Sequence, residues 1–244
     1  MYTATELSKF VFFDLETASE FSSLDELSVA KPKMAELWQK RCEYLRARFE
    51  ENKELSDEEL YVKKAALTPE FARIVCATFG RITFLGDEPS VILKSYSGFN
   101  ETPILDGVYT VFNKFLTHKF SGHNIKRFDI PMMCKRLLIN GKELPKMLQV
   151  QHLKPWEMPF IDTSELWSFG AWQEGFASLE LLVTSIGLET PKGDIKGEDV
   201  GHVFWEDRDI ERITKYCERD VFAGIQALLK LSNLPIVEEF ETQP

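Results

Sequence analysis

The feature that most constrains this chain is the run KFVFFDLET at residues 9–17, where four consecutive aromatic or β-branched residues are followed at once by acids. An uninterrupted apolar run of this kind reads as a strand buried within a helix-covered sheet. It predicts an α/β fold and puts Asp14 and Glu16 at the end of that strand, where α/β proteins place chemistry. Their spacing of two directs both side chains to one side of the sheet. Two carboxylates a few ångström apart repel by about 3 kcal/mol at an effective dielectric near 20, so the pair calls for a cation. Taken alone, it reads equally as one buried cap and one surface acid.

The 244 residues, 44 % hydrophobic and 28 % charged, suffice for one sizeable core and exclude both a disordered tail and a disulfide-stapled mini-protein. No apolar run approaches the roughly 18 residues needed to cross a bilayer. The opening residues carry no cationic leader, and the expected location is the cytoplasm. Four cysteines, Cys42, Cys76, Cys134 and Cys217, stand far apart with no CxxC pair, which suggests reduced thiols rather than a zinc knuckle. A net charge of −10 argues against coating nucleic acid by bulk charge. A carboxylate metal site with a local basic patch remains compatible with it.

Along the chain, residues 20–67 turn to Glu, Lys, Arg, Leu and Ala, with Leu37, Trp38, Arg41, Leu45 and Phe49 at helical spacing. This predicts a helical insertion after the first strand, within a single domain spanning 1–244. Two β-rich runs, 73–84 and 90–97, flank the turn formers Gly86, Asp87 and Pro89. The spacing then predicts a helix over 101–119, a strand over 120–124 and a helix over 130–139 that ends at Asn140 and Gly141. MPFIDTSELW reads as a strand entering a helix. Helices over 177–186 and 208–231 follow, separated by a glycine-rich loop at 193–201. The order is that of a mixed five-stranded sheet flanked by helices.

Three segments carry the acids. Besides Asp14 and Glu16, Asp129 stands at the start of an apolar helix, where it also reads as an N-cap. Tyr216 and Asp220 lie four apart on a strongly periodic helix and share a face, a surface pair being the plainer alternative. In conjunction, a DxE closing the first strand, an NxxxFD after a later one and a YxxxD on a C-terminal helix resemble the DEDDy 3′-to-5′ exonucleases of the ribonuclease H-like superfamily. The resemblance is to the proofreading domain of family B DNA polymerases and its stand-alone bacterial relatives, and leaves only residues 20–67 unmatched. It implies four metal ligands, Asp14, Glu16, Asp129 and Asp220, and a water-orienting Tyr216. The His subclass would need histidine where Lys215 stands. It further implies two Mg²⁺ or Mn²⁺ ions about 4 Å apart, with Asp14 bridging, Glu16 and Asp220 on the nucleophile side and Asp129 on the leaving-group side. The expected product is a nucleoside 5′-monophosphate from the 3′ end of single-stranded DNA or RNA.

For substrate contacts, Leu15, Thr17, Asn124, Lys126, Arg127 and Phe128 are the candidates, Asn124 reading also as a turn residue and Phe128 as core. Residues 119–154 hold eight bases, Lys119, Lys126, Arg127, Lys135, Arg136, Lys142, Lys146 and Lys154, against Asp129 and Glu143, and are the expected phosphate-binding stretch. Asp162 and Glu165 fit a capping box. His118, His123, His152 and His202 lack ligand spacing, with His123 expected as a loop hydrogen-bonder. Trp156, Trp167, Trp172 and Trp205 read as core or groove wall. The insertion is expected as a partner-docking or substrate-clamping arm. Competing readings are a non-catalytic nucleic-acid-binding or scaffold module with the same fold and an unrelated carboxylate metallohydrolase.

Overall fold

A computed structural model describes residues 1–171, 177–190 and 193–243. In chain order the elements are α1 (Ala4–Leu7), β1 (Phe10–Ser19), α2 (Leu24–Ala30), α3 (Pro32–Arg48), α4 (Asp57–Lys64), β2 (Ala72–Leu85), β3 (Glu88–Ser97) and α5 (Glu101–Lys114). There follow β4 (Lys119–Gly122), α6 (Asp129–Ile139), β5 (Phe160–Asp162), α7 (Thr163–Ser168), α8 (Leu179–Ser185), α9 (Val200–His202), α10 (Ile210–Leu231) and β6 (Phe240–Gln243). Among the described residues no helix is long and apolar enough to cross a membrane.

The sheet is mixed, in the order β5-β4-β1-β2-β3-β6. β2 runs antiparallel to β1 and β3, while the pairs β1/β4, β4/β5 and β3/β6 are parallel. Six strands are therefore present where five were expected. The sixth, FETQ, is mostly polar, largely exposed and pairs only along β3, so it lacks the apolar run that marks a buried strand. The helix predicted to reach residue 119 stops at Lys114, with Phe115 as its C-cap. Lys119 instead opens β4, opposite Phe10.

Strand alternation sorts β1 between two cores. Val11, Phe13 and Leu15 pack with Phe112 of α5, Phe120 of β4 and Ile130 of α6. Phe10 and Phe12 pack on the other face with Val221, Ile225 and Leu228 of α10. α10 lies close to β2 because Gly80 has no side chain: a Cβ there would sit 2.8–2.9 Å from Leu93, Ile225 and Val221. The insertion is helical as expected and has its own cluster, in which Trp38, Cys42, Leu60, Tyr61 and Phe71 are buried together. The segment read as a glycine-rich loop is more ordered than its composition suggests. A 3₁₀ turn (Gly197–Asp199), α9 and a π-helical turn (Val203–Asp207) are anchored by Val200, Val203 and Phe204 against Ala18 and Val75.

Candidate active site

Phe10, Phe12, Asp14 and Glu16 share one face of β1 by the period of two, so the two acids follow the phenylalanines toward α10. Asp14, Glu16 and the Cys217 thiol of α10 have ligand atoms within 4.8 Å of one another. Glu16 is buried and Asp14 half-buried. The thiol contacts the Asp14 backbone carbonyl oxygen at 3.5 Å and its carboxylate Oδ2 at 3.6 Å. Cys217 lay unmarked in the sequence between Tyr216 and Asp220; its only signal was its place in the apolar stripe of that helix.

Asp129 reaches the same region from α6. The N-cap position belongs to Phe128, which makes no side-chain cap bond. Asp129, only 3 % exposed, instead accepts the backbone N–H of Leu15 at 3.0 Å, across 114 residues of sequence. On α10, Tyr216 and Asp220 stand one turn apart, close enough for the phenol and the carboxylate to act on each other's titration. Asp209 is the N-cap of α10, its carboxylate accepting the Arg212 N–H at 3.0 Å, and along the helix Cys217 is buried while Tyr216 and Asp220 are half-buried.

The electrostatics of the four carboxylates agree in sign. Burial, then repulsion from Asp129 and Asp220, holds Asp14 well above the usual carboxylate range against the opposing thiol contact. Glu16 is raised by burial and then by Asp14 and Asp220. Burial lifts Asp129 to about 7 although the Leu15 N–H favours its charged form. Burial likewise lifts Asp220 to about 6, opposed by the Tyr216 hydroxyl and the Arg219 charge. Burial and the neighbouring acids push the Tyr216 phenol far up, so it remains a neutral donor. Among the described residues none of the four acids takes part in an ion pair. Four clustered carboxylates without a basic partner are costly unless a cation joins them. The carboxylate oxygens fit a hard divalent ion such as Mg²⁺ or Mn²⁺, with the Cys217 thiol beside Asp14 and Glu16.

The loop after β4 is held by Asp162, which accepts the backbone N–H groups of Asn124 (2.8 Å), Lys126 (3.1 Å) and Ser164 (3.0 Å). Asn124 takes a left-handed conformation, φ +60°, consistent with its reading as a turn residue. Asp162 caps α7 as expected, but Glu165 does not close the box: it pairs with the Lys126 ammonium at 2.7 Å. The Lys126 side chain is thereby buried and its charge paired. The Thr17 hydroxyl is similarly engaged, donating to the Ala66 carbonyl at 2.8 Å. Leu15 is buried, Phe128 packs against the core, and Arg127 is exposed. His123 bonds Thr163 and the Ala177 carbonyl, both at 2.9 Å, as a loop hydrogen-bonder should.

Half of the eight bases of the stretch 119–154 are paired with acids from other elements. Besides Lys126, Lys135 pairs with Glu70, Lys142 with Asp106, and Arg136 is buried against Glu101 at 2.6 Å. Trp156, expected in a core or groove wall, is 73 % exposed beside Lys154. Trp205 donates to the Ser19 carbonyl at 3.2 Å, Trp167 packs with Leu182 and Val183, and Trp172 lies outside the described residues.

These elements define a mixed α/β protein of ribonuclease H-like fold built around a buried cluster of carboxylates. Within that class, a family model described as a predicted 3′-5′ exonuclease related to the exonuclease domain of PolB matches residues 70–234, and the chain belongs to that family. The matched segment contains Asp129, Tyr216 and Asp220, while Asp14 and Glu16 precede it. No curated protein sequence matches the chain. Among solved structures, the family B DNA polymerase of the hyperthermophilic archaeon Pyrobaculum calidifontis has a similar fold, with a TM-score of 0.52 at 13 % identity. The likeness covers 91 % of this chain but 24 % of the polymerase.

Proposed function

We propose that this chain is a divalent-metal-dependent 3′-to-5′ exonuclease acting on single-stranded nucleic acid. The observation that carries the reading is the approach of Asp14, Glu16, Asp129 and Asp220, from β1, α6 and α10, to within reach of one another's charge, with none of them ion-paired among the described residues. The four carboxylates would hold the cations, which when bound supply an activated water and charge stabilisation for the departing oxygen. The phenol of Tyr216 remains protonated beside Asp220, suited to orienting the attacking water by hydrogen bonding rather than to accepting its proton. In the reaction a water oxygen attacks the terminal phosphodiester and the P–O3′ bond breaks. A nucleoside 5′-monophosphate leaves and a new 3′-hydroxyl remains.

The test is digestion of 5′-labelled single-stranded DNA and RNA with Mg²⁺, Mn²⁺ or chelator, with Asp14→Ala in parallel. A ladder shortening from the 3′ end, abolished by chelator and by the substitution, is the expected result and also reads out the sugar preference. Intact oligonucleotides under every condition, with binding retained, would replace the enzyme by a nucleic-acid-binding module.

A further inference from the structure

Beyond the carboxylates, aromatic rings and arginines meet where β1 ends and the π-helical turn enters α10. The Arg208 guanidinium lies 4.0 Å from the ring centre of Phe99, which is 37 % exposed. Phe99 contacts Phe204 at 5.2 Å, and Phe204 contacts Trp205 at 5.0 Å, edge to face. Arg73 covers the far side, its guanidinium 5.5 Å from Phe204 and 5.8 Å from Trp205, and donates to the Phe99 carbonyl at 2.8 Å. Arg208 is held at φ +55°, a left-handed conformation costly for a residue with a side chain, directly after a π-helical turn. Such turns mark functional positions in many proteins.

The charge arrangement points to a ligand. Arg73 and Arg208 are close enough for each to oppose the other's charge, yet among the described residues neither forms an ion pair. The acids whose fields reach Arg73 are committed elsewhere, Glu20 to Lys31 and Glu101 to Arg136. On the same turn Asp207 is taken by Arg212 and His202, and Glu206 is exposed. Two guanidinia that form no ion pair among the described residues, set on a row of rings, complement a phosphodiester strand, whose bases stack on aromatic faces while its phosphates need cations. The location fits the proposed reaction. Ser19, bonded to Trp205, follows Glu16 by three residues of β1, about 10 Å. Ile210 precedes Tyr216 by six residues of α10, about 9 Å.

We propose that Phe99, Trp205, Arg73 and Arg208 form a stacking platform for the single strand a few nucleotides upstream of the 3′ end being cut. This inference rests on the exonuclease reading and names where that enzyme grips its substrate. The platform replaces the 119–154 stretch, four of whose eight bases are bound to carboxylates.

The experiment compares wild type with Phe99→Ala and Arg208→Glu, both on the surface. Fluorescence anisotropy of labelled oligothymidylates of about 4 and about 16 nucleotides, in chelator, reads binding without turnover. Hydrolysis of the p-nitrophenyl ester of thymidine 5′-monophosphate with Mn²⁺ reads the catalytic centre without a strand. Each substitution is expected to weaken binding of the longer strand by about tenfold while leaving ester hydrolysis at the wild-type rate. Equal affinity of wild type and variants for the longer strand, or no measurable wild-type binding of it, would overturn the platform. Absence of ester and strand hydrolysis by wild type would sink the exonuclease reading instead, a failure that the anisotropy result does not share.

Discussion

Asp129→Asn should make the metal-free protein more stable while removing its activity. The substitution keeps the shape of the side chain, and its remaining oxygen still accepts the Leu15 N–H. In the fold this carboxyl titrates at about 7 instead of 3.8 because burial outweighs that hydrogen bond. Each decade between the two values corresponds to about 1.4 kcal/mol, so the ionised group costs the metal-free fold about 4 kcal/mol at pH 8. The amide carries its own desolvation cost, which leaves an expected gain of about 2–4 kcal/mol. The sign follows from proton binding. Between about pH 4 and 7 the folded protein holds a proton at Asp129 that the unfolded chain has released, so wild type loses stability as pH rises through this window. Urea denaturation in chelator at pH 8 and pH 5 measures the effect. The variant should lead at pH 8, and its lead should shrink to less than half at pH 5. A variant no more stable than wild type at pH 8, or a lead independent of pH, would refute the reasoning. Excess Mn²⁺ should narrow the gap, because binding stabilises the wild-type fold by mass action.

Two further substitutions separate chemistry from architecture. Tyr216→Phe removes the hydroxyl that lies beside Asp220 and should lower kcat by about 100-fold or more with little change in KM; a full rate in steady-state kinetics would dismiss the phenol from the reaction. Lys126→Ala breaks the buried pair with Glu165 and should cost about 1–3 kcal/mol in chemical denaturation at unchanged oligonucleotide affinity. Lost affinity at wild-type stability would return Lys126 to the substrate side.

Sequence pattern reached far where a residue's role is set by its neighbours in the chain. The buried strand at residues 10–13, the shared face of the DxE and the YxxxD phase on α10 all follow from local periodicity, although β1 runs on to Ser19 and so places Asp14 and Glu16 within the strand rather than at its end, and the structure brings Asp14, Glu16, Asp129, Tyr216 and Asp220 into one electrostatic neighbourhood. Roles set by distant partners were not legible. Lys126, Lys135, Arg136 and Lys142 look like a basic patch until Glu165, Glu70, Glu101 and Asp106 arrive from other elements. Asp129 reads as a cap because the Leu15 N–H that it accepts is invisible in its own segment. Arg73, Phe99, Trp205 and Arg208 are scattered over the chain and meet only once β1, β2 and the turn before α10 are assembled. β6 escaped notice because an edge strand with exposed charges has no hydrophobic signature.

The alternation along β1 also bears on how the chain finds its alignment. From Phe10 to Phe13 both faces of the strand are apolar, so hydrophobic burial alone barely distinguishes the native pairing from one displaced by a single residue. Such a slip exchanges the two faces. It would carry Asp14 and Glu16 away from the α10 side and into the packed rings of Phe79, Phe112 and Phe120, where an unpaired carboxylate is far more costly than a misplaced phenylalanine. The acids that equip the site thus serve as alignment marks during folding, penalising the one misregistered sheet that the aromatic residues beside them would tolerate.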